Sequence, residues 1–261
     1  MKTARYLCLL VLTFLAVFLC GCSHLQKDND VLFQTSTIDA LLEGIYDGEI
    51  TCGELRQHGT FGLGTFNALD GEMVVLDGTF YQVKTDGIAY RVGDSTKTPF
   101  TVVTFFEPDK TIALEKANGY DQLKKYLDNS LPTKNIFYAI KIEGVFKYIK
   151  TRSVPGQTKP YPPLVDVVKN QTIFEFHNVK GTIVGFRCPP YVKGINVPGY
   201  HLHFITEDKK AGGHMLECQM RNVNIDIDYT AKFFMVLPKH SEFYKVDLTK
   251  EKQTELEKVE K

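Results

Sequence analysis

Apolar and polar residues alternate through most of the chain, and the breaks fall at glycines, prolines and Asp-Gly pairs. The segments Phe61–Phe66, Met73–Leu76, Thr79–Val83 and Ile88–Val92 all read as strands. Asp70-Gly71, Asp77-Gly78 and Asp86-Gly87 separate them, and such pairs suit tight hairpins. The stretch is therefore an antiparallel meander. Upstream, Ser36 or Thr37 is placed to cap a brief helix through Ile38, Leu41 and Leu42, ended by Gly44. Thr51 to Gln57 reads as a second short helix. Downstream come a strand over Phe100–Phe106 and an amphipathic helix over Tyr120–Asn129, with Leu123, Tyr126 and Leu127 on one side. A long strand over Ile136–Ile149 follows, broken or bulged at Gly144.

Val154 to Pro163 holds four prolines and is the best internal boundary. Beyond it the pattern resumes with strands over Ile173–Phe176, Gly181–Phe186, Tyr200–Ile205, His214–Met220, Val223–Tyr229 and Phe233–Leu237. The expected fold is α+β, with two sheet-rich subdomains of mixed or antiparallel sheets and a few short helices. The subdomains span 36–153 and 154–238, and 239–261 is a charged tail reaching toward the site. Residues 1–21 read as a signal peptide and 22–35 as a polar tether.

The leader changes the compositional picture. Lys2 and Arg5 precede an apolar run from Tyr6 to Leu19, shorter than the ~20 residues of a spanning helix. Leu19-Cys20-Gly21-Cys22 resembles a bacterial lipoprotein cleavage box, which would make Cys22 the lipidated first residue of an exported, membrane-anchored protein. A signal peptide cut nearby, giving a periplasmic or secreted protein with Cys22 an ordinary residue, is the alternative. Without residues 1–21, which carry two cations and no acid, the chain keeps 29 basic and 31 acidic residues. With no basic stripe, a nucleic-acid partner is not indicated. Of six cysteines only Cys52, Cys188 and Cys218 lie in the body, without CxxC spacing, so at most one disulfide is possible there.

Candidate chemistry centres on Tyr200-His201-Leu202-His203-Phe204-Ile205. Side chains two apart on a strand share a face, so His201 and His203 project together while Leu202 and Phe204 enter the other side. Gly212-Gly213 ends a polar turn that folds the next strand back, setting His214 opposite or diagonal to His203. A slip of one residue would turn His214 to the wrong face. HxH alone is also what a surface strand shows by chance; the third histidine points to metal. Three neutral imidazoles suit zinc and leave a position for water or substrate, the mark of a catalytic site. No HExxH is present. His58, His177 and His240 are isolated and read as surface or hydrogen-bonded residues.

Gly199-Tyr200-His201-Leu202-His203-Phe204-Ile205 followed by Gly212-Gly213-His214 resembles the metal motif of the acetolactate decarboxylases. The blocks Phe61 to Glu72, Asn135 to Ile140 with Thr151-Arg152, and Gly181 to Phe186 carry the same resemblance, in the same order, between about residues 35 and 240. It implies a carboxy-lyase that converts 2-acetolactate to acetoin, with zinc on His201, His203 and His214. The substrate ketone and hydroxyl would chelate the metal, and an enediolate would form as carbon dioxide leaves. The resemblance places a catalytic carboxylate, suited to handling the hydroxyl proton, at Glu72 and a catalytic, substrate-binding arginine at Arg152. Thr65 lies on the strand leading to Glu72 and is a further substrate contact. A tail glutamate falls by spacing on Glu260, with Glu255 and Glu257 as alternatives. A homodimer is implied as well. Two other readings share the histidines: a metal-dependent small-ligand-binding protein without turnover, and a zinc hydrolase, which would have no need of Arg152.

Overall fold

A computed structural model describes residues 30–239 and 241–260, so the leader, Cys22, most of the expected tether, His240 and Lys261 lie outside the described residues. The strands are β1 (Val31–Thr35), β2 (Phe61–Thr65), β3 (Glu72–Leu76), β4 (Thr79–Val83), β5 (Ala89–Arg91), β6 (Thr101–Thr104), β7 (Lys110–Ala117), β8 (Phe137–Ser153), β9 (Thr172–Cys188), β10 (Gly199–Thr206), β11 (Gly212–Thr230) and β12 (Lys232–Val236). The helices are α1 (Ile38–Leu42), α2 (Cys52–Leu55), α3 (Tyr120–Ser130), α4 (Leu164–Val167), α5 (Ser241–Lys245) and α6 (Gln253–Val259). The fold is α+β, with two sheets and a few short helices.

Local chemistry explains the short elements. Thr37 caps α1 by accepting from the Ala40 amide at 3.2 Å, and Gly44 beyond it takes φ +85°. Thr51 and Glu54 form a reciprocal capping box on α2. Asp77 and Gly78 both have positive φ, +51° and +71°, the conformation that joins β3 to β4 by two residues with the right twist.

One sheet has seven strands in the order β12-β1-β6-β2-β3-β4-β5, and the other five in the order β10-β9-β8-β11-β7. An added β10–β11 pairing closes β8, β9, β10 and β11 into a ring at one end. Between the sheets, Leu32, Leu63, Val74 and Val102 pack against the layer of Ala139, Val184 and Phe186. The far face of the second sheet buries Ile140, Ile183 and Ile225 with Leu123 and Leu127 of α3. The far face of the first covers Phe33, Val75 and Val103 with Leu55 of α2. Fully burying each such side chain contributes about 1.5–3 kcal/mol, so packing must hold the fold: all three body cysteines are free.

Several expected boundaries give way. Residues 31–35 are not tether: β1 is mostly buried, antiparallel to β6 and parallel to β12. Nor do the sheets divide at residue 154. β7 and β8 precede the proline-rich segment yet pair with β9 and β11, while β12 crosses back to β1. The paired strands expected over 173–186 and 214–229 are continuous spans of 17 and 19 residues. β8 is one continuous strand through Gly144, but its pairing with β11 shifts register across that glycine, between Met220 and Asn224, where Asn222 adopts φ +50°. Gly144 is needed because a Cβ there would lie 2.7 Å from Val223 Cγ1.

Candidate metal centre

Three imidazoles converge where the two sheets face each other. β10 pairs with β11 over three residues, and this register sets His203 directly opposite His214. Gly213 permits the close return: its φ is +130°, and a Cβ would lie 2.4 Å from the Arg152 carbonyl oxygen. The ring centroids of His201, His203 and His214 are 5.1–5.2 Å apart. One nitrogen of each ring lies within 4.8 Å of the others, and all three residues are buried.

The surroundings prepare these rings for a cation. His203 Nδ1 stands 2.7 Å from the Met73 carbonyl oxygen of β3; a carbonyl only accepts, so Nδ1 carries the proton and Nε2 keeps its lone pair. That Nε2 is 3.3 Å from His214 Nδ1. His201 Nδ1 is buried with no hydrogen-bond partner, a deficit that a metal ion bound at that atom would offset. Burial pushes the His201 pKa down to about 3, and the Arg152 charge adds to the effect. Burial also holds His203 and His214 well below their ordinary value, and a second charge beside the other imidazoles and Arg152 would be repelled. Neutral imidazole is the form that donates to a metal. The trio fits a divalent ion.

Two carboxylates and one guanidinium flank the trio. Glu72 opens β3 opposite Thr65, and the turn before it is tight: a Cβ on Gly71 would lie 2.4 Å from the Val83 carbonyl oxygen. Thr65 Oγ1 donates to the Gly71 carbonyl at 2.7 Å, so its hydroxyl proton shapes this turn. Arg152, on β8, is the cross-strand neighbour of His214. Its Nη1 donates to Glu72 Oε1 at 2.8 Å and its Nη2 to the Val259 carbonyl at 2.9 Å, while Nε is buried without a partner. Glu72 Oε2 lies 3.7 Å from His203 Nε2. Burial lifts the Glu72 carboxyl to about 7, against the Arg152 charge and with help from Glu260.

The tail delivers the second carboxylate. α6 buries Leu256 and Val259, and Glu260 at its end sets Oε2 3.8 Å from His214 Nε2. Its carboxyl also rises to about 7, through burial opposed by Arg152. Glu257 is exposed on the outer side, and Glu255 is half-buried near Lys252. Of the three tail candidates, Glu260 is the one at the histidines.

Thr65, Glu72, Arg152, His201, His214 and Glu260 line a small cavity whose remaining wall is apolar, including Ile38, Leu69, Phe100 and Leu164. These wall residues carried no signal beyond strand or helix pattern. Leu69 and its neighbour Ala68 both adopt positive φ, +54° and +60°, a cost of ~1–3 kcal/mol each that marks a segment held by its surroundings. A larger outer cleft of about 430 Å³ adjoins the cavity, and Glu260 lines both.

The family profile described as alpha-acetolactate decarboxylase matches residues 32–250. The chain belongs to the alpha-acetolactate decarboxylase family. It is 55% identical to the Methanosarcina mazei alpha-acetolactate decarboxylase over 233 residues, 89% of this chain and 81% of that protein. The Methylococcus capsulatus alpha-acetolactate decarboxylase is 48% identical over 90% of each chain. The crystal structure of the Bacillus subtilis strain 168 alpha-acetolactate decarboxylase superposes with a TM-score of 0.86 at 41% identity, covering 88% of this chain and 99% of that one. Membership of the alpha-acetolactate decarboxylase family makes this chain a carboxy-lyase.

Proposed function

We propose that this enzyme converts 2-acetolactate to acetoin and carbon dioxide, using zinc held by His201, His203 and His214. The observation that carries the reading is the buried Arg152–Glu72 pair, 2.8 Å apart beside three neutral imidazoles. A hydrolase needs the general base, whereas a decarboxylase also gives the guanidinium a task, holding the carboxylate that departs. Zinc, when bound, supplies a Lewis acid that polarises the substrate's ketone and hydroxyl oxygens.

The chain's own groups account for the rest. Arg152 remains cationic and offers a planar fork to the substrate carboxylate, fixing the bond to be broken. Glu72, held by Arg152 and 3.7 Å from His203 Nε2, takes the hydroxyl proton. As the carbon–carbon bond breaks, its electron pair stays with the four-carbon fragment as an enediolate, and carbon dioxide departs. Glu260, which lines both the cavity and the outer cleft, gives a proton to the carbon that lost the carboxylate; Glu72 returns the hydroxyl proton to the remaining alkoxide, giving acetoin, and solvent reprotonates Glu260. The apolar wall limits water, so these charges act in a low-dielectric cavity.

Export with acylation at Cys22 belongs to the same reading and is supported by the Leu-x-Gly-Cys box after the apolar run. The deciding assay supplies 2-acetolactate to purified, zinc-loaded protein and follows acetoin and carbon dioxide. Stoichiometric appearance of both is expected, and no acetoin from fully loaded protein refutes the proposal.

A further inference from the structure

Glu260 reaches the histidines from the end of a helix of only seven residues, and the question is what fixes that helix's register. Leu256 and Val259 bury one edge of α6. Two apolar contacts one turn apart resist rotation only weakly, since hydrophobic burial is non-directional. A slip of one residue turns the helix by ~100° and moves it by ~1.5 Å, which would carry Glu260 away from His214. At the far end, Arg152 Nη2 holds the Val259 carbonyl at 2.9 Å.

The near end has its own tie. Lys252, the residue before α6, forms an ion pair with Glu43, the C-cap of α1. The Lys252 side chain is only 14% exposed and that of Glu43 29%. Asp39 of α1 and Glu255 of α6 add negative charge around the same ammonium. Ile38 and Leu41 of α1 line the cavity, so α1 is part of the site wall to which the tail is tied. Lys252 and Glu43 touch neither the histidines nor the cavity.

We propose that the Lys252–Glu43 ion pair is a latch that sets the register of α6 and so positions Glu260 over the metal centre. Lys252 and Glu43 are positioning residues for the reaction, an inference that rests on Glu260 as the proton donor. A neutral side chain at Lys252 loosens the tail, and an acidic one drives it off, because it would face Glu43, Asp39 and Glu255 together.

The test compares zinc-loaded wild type, Lys252→Arg, Lys252→Gln and Lys252→Glu by hydrogen exchange over residues 253–260 and by kcat. Exchange should rise about fivefold in Lys252→Gln, as expected for losing one largely buried ion pair at the molecular surface, and further in Lys252→Glu. Lys252→Arg should stay near wild type. The kcat of Lys252→Glu should fall at least about tenfold with zinc content and melting temperature kept. In a Glu260→Gln background the same change should cost nothing further. Unchanged exchange in both Lys252→Gln and Lys252→Glu overturns the latch. So does a kcat loss in Lys252→Glu that persists undiminished in the Glu260→Gln background. Full activity in Glu260→Gln itself removes the proton donor, and with it the positioning role, while the exchange data still report whether the ion pair holds the tail.

Discussion

Arg152 and Glu72 lie eighty positions apart in the chain and meet inside it at 2.8 Å, each nearly inaccessible to solvent. The same guanidinium also holds the carbonyl of Val259, so one side chain joins β8, β3 and the tail around the three histidines. A buried pair of this kind is weak support for stability, because desolvating both charges costs about as much as their attraction returns. Its value lies in placing charge.

Arg152→Ala should therefore keep zinc and lose rate, with kcat lower by about 10²–10³-fold, the cost of removing one preorganised electrostatic contact. Arg152→Lys should recover little, since an ammonium cannot hold Glu72, the Val259 carbonyl and a carboxylate as a planar fork does. Zinc content and single-turnover rates measured together check this. Full activity in Arg152→Ala would remove the residue from the mechanism.

The tail glutamates separate by position. Glu260→Gln should lower kcat by about 10²-fold, the usual share of a general acid. Glu257→Gln, exposed on the outer side, should stay within about twofold of wild type. Equal losses in the two variants would mean that the tail acts through its net charge.

The spacing of this tail left three glutamates open, because a helix's register depends on what it packs against. Leu256 and Val259 fall one turn apart, and their burial brings Glu260 inward. Features set within a few residues were legible: the Thr37 cap, the Asp77-Gly78 hairpin and the two-residue spacing of His201 and His203. The strand β1 was not, since Val31-Leu32-Phe33-Gln34-Thr35 lacks alternation and its partner β12 lies two hundred residues on. Nor was the support that the Met73 and Val259 carbonyls give the site, because every residue carries such a group and only the fold chooses which are used.

Asp228, fourteen residues beyond His214 toward the other end of β11, gives a test by pH. Burial raises its carboxyl to about 7, with Asp109, Asp30 and Glu107 adding repulsion and the Glu107 amide opposing it. A raised carboxyl means the folded state binds the proton more tightly than the unfolded one, so folded stability declines as pH rises from about 4 to about 7. Asp228→Asn should remove that decline. Its melting temperature should exceed that of wild type by a margin that grows between pH 5 and 7 and then levels off. A margin independent of pH would show that Asp228 is charged without penalty.

Cys22 is tested in cells. Radiolabelled fatty acid should appear on the wild-type protein and be absent from Cys22→Ser. Label on both would reject that residue as the anchor.

The most direct test titrates zinc into chelator-treated protein and follows acetoin formation from 2-acetolactate in the same samples. Activity should start near zero, rise linearly and saturate at about one zinc per chain, and His203→Ala should bind no zinc tightly and stay inactive. Full activity in the metal-free protein, or an unchanged titration in His203→Ala, would contradict a catalytic centre built on His201, His203 and His214.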